Sequence, residues 1–385
     1  MESTPPSIVV SGLRSTGKSS LVCALWGDAD LLPTAERDCT QTNSLIRVPR
    51  EGESDRSVRL VHLPRDRALL FAVRGAAYYR IESFLREKLS FEAQVLEEQP
   101  PGERLATAVR LLREAFTHDP RAAVLHEALS DDIAEIEQIL ETLSAPDYPA
   151  ETPIAKSWDE RRDHMMGRRG PDSRIIDTGR LQTLDRVELV RATTAWIGTP
   201  PLLIDTPCIP AVRGARRQDL VLEQARKASM LLIASRPDRA EPEEWLRAFL
   251  KERPKMAERT LLVFNQVDTV DPASLFSRDG FSGAFESSQE RFKEIGVPRT
   301  NVCMTCARLP FLELARTSSS DPLVEERLAR LKKILARLAD LALGRQASVF
   351  RDMYVAAVKS PDGGMIALRA AIQKTLANVP RSPFS

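Results

Sequence analysis

Residues 12–19 read Gly-Leu-Arg-Ser-Thr-Gly-Lys-Ser and follow a short apolar run, Ile8-Val9-Val10. A G-x-x-x-x-G-K-S pattern binds phosphate when it joins a strand to a helix, so this spacing commits the chain to an α/β fold. Gly12 and Gly17 allow the backbone to curl until successive N–H groups converge on phosphate oxygens. Lys18 is placed to reach the β- and γ-phosphates, and the Ser19 hydroxyl to hold Mg²⁺. A helix over about 19–26, with Ser20 in its first turn, then points its positive end at the anion.

Two further apolar runs end in residues suited to the rest of a nucleotide. Leu202-Leu203-Ile204-Asp205 places a carboxylate at a strand end, where it can bind Mg²⁺ through water. Leu261-Leu262-Val263-Phe264 leads into Asn265-Gln266-Val267-Asp268. This resembles the guanine-reading Asn-Lys-x-Asp motif of GTPases. A carboxylate at Asp268 can accept from both N1–H and the 2-amino group of guanine, a donor pair that adenine lacks. Asn265 would brace the loop and contact N7. Gln266 stands where lysine is usual and can still lie flat on a ring. Asn and Asp also favour ordinary strand-end turns, and the upstream phosphate loop is what tips the reading toward guanine.

Several stretches together resemble the dynamin superfamily of GTPases. Leu31-Leu32-Pro33-Thr34-Ala35-Glu36-Arg37-Asp38-Cys39-Thr40 is similar to its first switch, in which a Leu-Pro pair precedes the Mg²⁺-binding threonine. Thr40 has the matching spacing, and Thr42 is the competitor. Val302-Cys303-Met304-Thr305-Cys306-Ala307 resembles the strand and loop that back the guanine, with Cys306 and Ala307 at the base. Ser360-Pro361-Asp362-Gly363-Gly364, followed by a helix over 365–376, looks like the last helix of a dynamin-type G domain. The resemblance implies Mg²⁺ held by Ser19, Thr40 and, through water, Asp205. It also implies catalytic roles for Lys18, Ser15 and Thr40. Arg14 stands where the family has Gln; it is either a charge-neutralising finger or a solvent-facing or dimer-facing residue. Cys208 replaces the glycine of the family's Asp-x-x-Gly, which puts hydrolysis itself in question.

The charges balance, 55 basic against 54 acidic residues among 385. That removes any general electrostatic pull toward nucleic acid. No apolar run approaches the roughly 20 residues of a membrane-spanning helix, and residues 1–6 lack a secretion signal. A cytoplasmic enzyme is the expected class, with membrane contact left open. The five cysteines are Cys23, Cys39, Cys208, Cys303 and Cys306. Cys303-x-x-Cys306 has the spacing of a metal or redox pair. It also ends a predicted strand, where small side chains fill a core.

Along the chain, strands are expected over 42–49, 57–62, 186–193, 202–205 and 230–234. Residues 66–145 carry three helical apolar stripes, starting from Leu69, Leu105 and Ile133. Residues 146–182 read as an irregular connector, with Met165-Met166 at a loop tip or inserted into a membrane or partner surface. Arg213, Arg216 and Arg217 fall in the presumed second switch. A helix near Asp219 follows, and 322–358 forms one long amphipathic segment that could pair with the 66–145 helices. The expected architecture is an α/β P-loop GTPase domain with a mainly parallel sheet plus a helical subdomain. Its parts are 1–65, 183–310 and 360–385 for the G domain, with helical insertions at 66–182 and 311–359 and no room for a full stalk. The expected ligands are GTP or GDP and Mg²⁺. The resemblance leaves open a homodimer across the nucleotide face and a protein partner on the insertions. The alternative function is a nucleotide-binding switch or scaffold that turns over little.

Overall fold

The computed structural model describes residues 5–13, 15–33, 42–89, 94–118, 123–148, 154–166, 181–207, 215–237, 244–318 and 321–378. Its strands are β1 (Ser7–Ser11), β2 (Asn43–Arg47), β3 (Ser57–His62), β4 (Ile154–Lys156), β5 (Leu184–Val190), β6 (Leu202–Asp205), β7 (Met230–Ser235), β8 (Thr260–Phe264) and β9 (Val302–Met304). Among the described residues they form one sheet in the order β4-β3-β5-β2-β6-β1-β7-β8-β9. The β6-β1-β7-β8-β9 half is parallel throughout. β2 joins it antiparallel to β6, with Ser44 opposite Asp205, and runs parallel to β5. β3 and β4 complete the far edge antiparallel. Every residue of β7 and β8 is buried, as strands covered on both faces must be.

The helices are α1 (Lys18–Trp26), α2 (Arg65–Ala72), α3 (Ala76–Leu89), α4 (Gln94–Glu97), α5 (Pro101–His118), α6 (Ala123–Ser144), α7 (Arg161–Met166) and α8 (Ala215–Lys227). They continue with α9 (Glu244–Glu252), α10 (Pro254–Ala257), α11 (Phe281–Glu294), α12 (Arg308–Ser318), α13 (Pro322–Leu343), α14 (Val349–Lys359) and α15 (Met365–Ala377). Alternate residues of β1 serve opposite layers. Ile8 and Val10 pack with α1 and α15, while Val9 packs with α9, α11, α13 and α14. From Leu21 to Trp26, α1 is at most 1% exposed. Arg369 on α15 donates to the Ala24 and Leu25 carbonyls at 2.7 and 3.2 Å, closing the C-terminal end of α1. The last helix thus latches the helix that opens from the loop after β1.

The helices of residues 65–144 build their own apolar cluster from Ile81, Leu85, Leu105, Leu112, Ile136 and Ile139, among others. Gly75 breaks the first expected stripe into α2 and α3. This cluster meets the α/β body at α8, where Leu220 is buried in it, Arg67 pairs with Glu223, and Arg74 lies 3.6 Å from Asp219.

The structure corrects five expectations. The 322–358 segment is two helices, broken between Leu343 and Ser348, whose hydroxyl accepts from Arg351 N at 3.1 Å. Its buried residues, Leu328 to Val358, pack with Trp245, Phe264 and Phe285 of the α/β body instead of with the 66–145 helices. Met165 is no loop tip. It is fully buried against the sheet, and its segment is anchored where Trp158 Nε1 donates to Asp30 at 3.1 Å and Arg161 lies 4.7 Å over the Trp158 ring. The connector also supplies β4, and the helix expected near Asp219 begins at Ala215. For the 322–358 segment the cause is that amphipathic spacing marks a buried face but not which neighbour covers it.

Candidate functional site

The C-terminal ends of β1, β6, β7 and β8 converge on one rim, the edge where open α/β sheets bind ligands. The loop after β1 starts at Gly12, whose φ is +146°; a Cβ there would lie 2.1 Å from the Ala234 carbonyl oxygen. Only glycine lets this loop pass so close to β7. Gly17, at φ +74°, leads into α1, and a Cβ on it would meet Asn265 Nδ2 at 2.6 Å. Ser15 also has positive φ, at 61°, and Thr16 donates its hydroxyl to Leu13 O at 3.0 Å. Lys18 is 5% exposed and donates to the carbonyls of Gly12 and Leu13 at 2.8 and 3.0 Å. The ammonium is therefore held inside the curl of the loop. Ser20 sits in the first turn of α1, partly buried.

Ser19 Oγ donates to Asp205 Oδ2 at 2.9 Å, joining the start of α1 to the end of β6. Asp205 is fully buried, and Thr206 beside it donates its hydroxyl to Val10 O at 2.9 Å. A hydroxyl and a carboxylate brought together are hard oxygen donors of the kind Mg²⁺ takes, so these residues fit that ion. Thr42 opens the segment leading into β2 and is 1% exposed, and its hydroxyl has no hydrogen-bond partner among the described residues. Arg14, Cys39, Thr40, Cys208 and Arg213 lie outside the described residues, as do the side chains of Arg216 and Arg217.

Asn265 joins the two halves of the site. Its Nδ2 donates to Thr16 O at 3.0 Å and Gly17 O at 3.3 Å. Its Oδ1 accepts from the Thr305 hydroxyl at 3.2 Å and from Ala307 N at 3.1 Å. One buried amide therefore ties the phosphate loop to the loop after β9. The next residue, Gln266, has φ +62°, and its Nε2 would be 3.1 Å from a Cβ on Gly17. Its side chain thus runs along the phosphate loop.

Asp268 is buried beside Cys306, whose thiol donates to Oδ1 at 3.2 Å. Burial, and then the Asp268 charge, push the Cys306 thiol well above its usual range, so it stays a protonated donor. Cys303 faces the other layer of the sheet, with its thiol pushed up to about 11 by burial. The two cysteines do not share a site. Two supports for this loop come from distant sequence. Tyr354 on α14 donates its hydroxyl to Val267 O at 3.1 Å, and Cys306 N donates to Gly363 O at 2.9 Å. Gly363 has φ +61°, and a Cβ there would fall 2.4 Å from Cys306 O, so this close approach requires glycine.

No family model matches the chain, and no curated protein matches it. Solved structures of an oligomerised bacterial dynamin pair, described as providing a mechanism for long-range sensing and tethering of membranes, are similar to it at 12% identity. One match covers 89% of this chain and 49% of the solved chain, with a TM-score of 0.40. The other covers 96% and 45%, with a TM-score of 0.42. The chain spans about half the length of these solved chains.

Proposed function

We propose that this chain is a dynamin-like GTPase that binds Mg²⁺-GTP and hydrolyses it slowly to GDP and phosphate. The observation that carries the reading is the Asn265 bridge. A side chain that holds the phosphate loop and the base loop together sets a buried carboxylate, Asp268, at a fixed distance from a buried lysine, Lys18. A buried carboxylate at the base end suits a nucleotide with an amide-like N–H edge on its base.

In this reading Gly12, Gly17, Ser19 and Ser20 offer backbone N–H groups to the phosphates, and Lys18 adds a positive charge. Asp268 reads N1–H and the 2-amino group, Ala307 and Cys306 back the base, and Gln266 lies along it. Mg²⁺, held by Ser19, Thr40 and Asp205 through water, would neutralise charge on the β- and γ-phosphates. Thr40 positions the attacking water, Ser15 supports it, and Arg14 balances charge developing at the bridging oxygen. Residues 66–182 and 311–359 are read as insertions into the G domain. They are the candidate surface for a protein partner, and the nucleotide face is the candidate surface for a homodimer. Among the described residues no helix is long and apolar enough to cross a membrane.

A second reading, a nucleotide-dependent switch with little turnover, is favoured by Cys208 at the position where the family pattern has glycine. Phosphate release from Mg²⁺-GTP over a protein concentration series separates the two. Turnover per molecule that rises with concentration is the expected result. GTP binding without release, with release appearing in Cys208→Gly, would favour the switch.

A further inference from the structure

We propose that Ser44 is a positioning residue of the Mg²⁺ site, its hydroxyl accepting a hydrogen bond from a metal-bound water beside Asp205. The assignment rests on the Mg²⁺-nucleotide reading above, and Ser44 lies outside every nucleotide motif of the sequence.

Strand register places the residue. Ser44 stands opposite Asp205 where β2 runs antiparallel to β6. Residues paired in this way carry their side chains on one face of the sheet, with Cβ atoms about 4.5–5.5 Å apart. That face is the one covered by α1. Ile46 and Leu203, the next facing pair on the same side, pack in one cluster with Leu21 and Leu25 of α1. Leu45, between Ser44 and Ile46, packs against the opposite layer. Asp205 itself accepts from Ser19 on α1 at 2.9 Å. Ser44 therefore lies on the Ser19 side of the sheet, where a single water can bridge it to the Asp205 carboxylate.

The state of the hydroxyl says what it is for. Ser44 is fully buried, and its hydroxyl has no hydrogen-bond partner among the described residues. Native structures rarely leave a buried hydroxyl so, because desolvation without a partner is costly. A strand packed on α1 for stability alone would be apolar here, as it is at Ile46. Thr42, two residues nearer the rim, is 1% exposed with its hydroxyl in the same state among the described residues. Mg²⁺ in nucleotide sites keeps several of its waters. Each such water is polarised by the ion and needs an acceptor. Asp205 and Ser44 offer acceptors from neighbouring strands, so the hydroxyl gains its partner when the metal arrives.

The test follows release of fluorescent N-methylanthraniloyl-GDP from the full chain, Ser44→Ala and Ser44→Cys across a Mg²⁺ series, with EDTA as the metal-free limit. The Mg²⁺ concentration that half-slows release is expected to rise at least about tenfold in both variants, the size of a lost outer-shell partner. S44C keeps the volume of the side chain while its thiol is a weak acceptor, so a cavity cannot account for a shift seen in both. Release in EDTA should stay within about twofold of the unaltered chain. An unshifted Mg²⁺ midpoint in both variants would overturn the assignment alone, whatever their melting temperatures. Release quickened as much in EDTA as in Mg²⁺ would also overturn it, since a merely structural serine would act that way. Release from the unaltered chain that Mg²⁺ does not slow would overturn the Mg²⁺ reading and this assignment with it.

Discussion

Asn265→Ala is expected to weaken guanine-nucleotide binding by at least about a hundredfold and to lower the melting temperature by several degrees. The substitution leaves the Thr16 carbonyl, the Ala307 amide and the Thr305 hydroxyl without their partner in a site where Asn265 is 1% exposed. Each buried group left unsatisfied costs about 1–3 kcal/mol. Part of that cost falls on folding. The rest falls on binding, because the phosphate loop and the base loop lose their common anchor and no longer hold a ligand at both ends. Titration with fluorescent GDP and a thermal melt read the two parts separately. Asn265→Asp should do little better, since a carboxylate would face the Thr16 and Gly17 carbonyls with no donor to offer. Binding within about fivefold of the unaltered chain in N265A would mean that the bridge is structural only.

Lys18→Ala is expected to abolish binding of GTP and GDP at micromolar nucleotide while the chain stays folded. The ammonium is enclosed, donating to Gly12 O and Leu13 O, and bears the positive charge at the centre of the loop. Charge-assisted hydrogen bonds to phosphate are worth roughly 1.5–3 kcal/mol each, and two of them account for a loss of a hundredfold or more. The fold should tolerate the change better than N265A. The carbonyls that Lys18 holds line a loop that opens toward the rim of the sheet, where water can replace the ammonium. A variant that still binds GDP with near-native affinity would remove the phosphate loop from the account.

Much of this site can be read from the sequence because its residues are constrained locally. The phosphate loop needs its two glycines and lysine at fixed spacing, and the strand ends at Asp205 and Asn265 follow uninterrupted apolar runs. What long-range packing decides could not be read in the same way. The apolar spacing over 322–358 is real, yet it cannot say that Tyr354 will brace Val267. Met165 looks like a loop residue because the segment around it is charged, yet the Trp158–Asp30 anchor draws it into the core. The glycine pair before α15 reads as a helix start, but the reason Gly363 must be glycine is a carbonyl 57 positions earlier, that of Cys306.

The central claim is that one rim of this sheet holds a guanine nucleotide, with Lys18 at its phosphates and Asp268 at its base. The most direct measurement is displacement of bound N-methylanthraniloyl-GDP from the full chain in Mg²⁺ by unlabelled GTP, GDP, ATP and ADP. The account predicts displacement by GTP and GDP at stoichiometric excess, and none by ATP or ADP at about a hundredfold excess, the margin expected where a buried carboxylate would be left without its donors. Equal displacement by adenine nucleotides would contradict the assignment of Asp268, and failure to bind the labelled nucleotide at all would contradict the account as a whole.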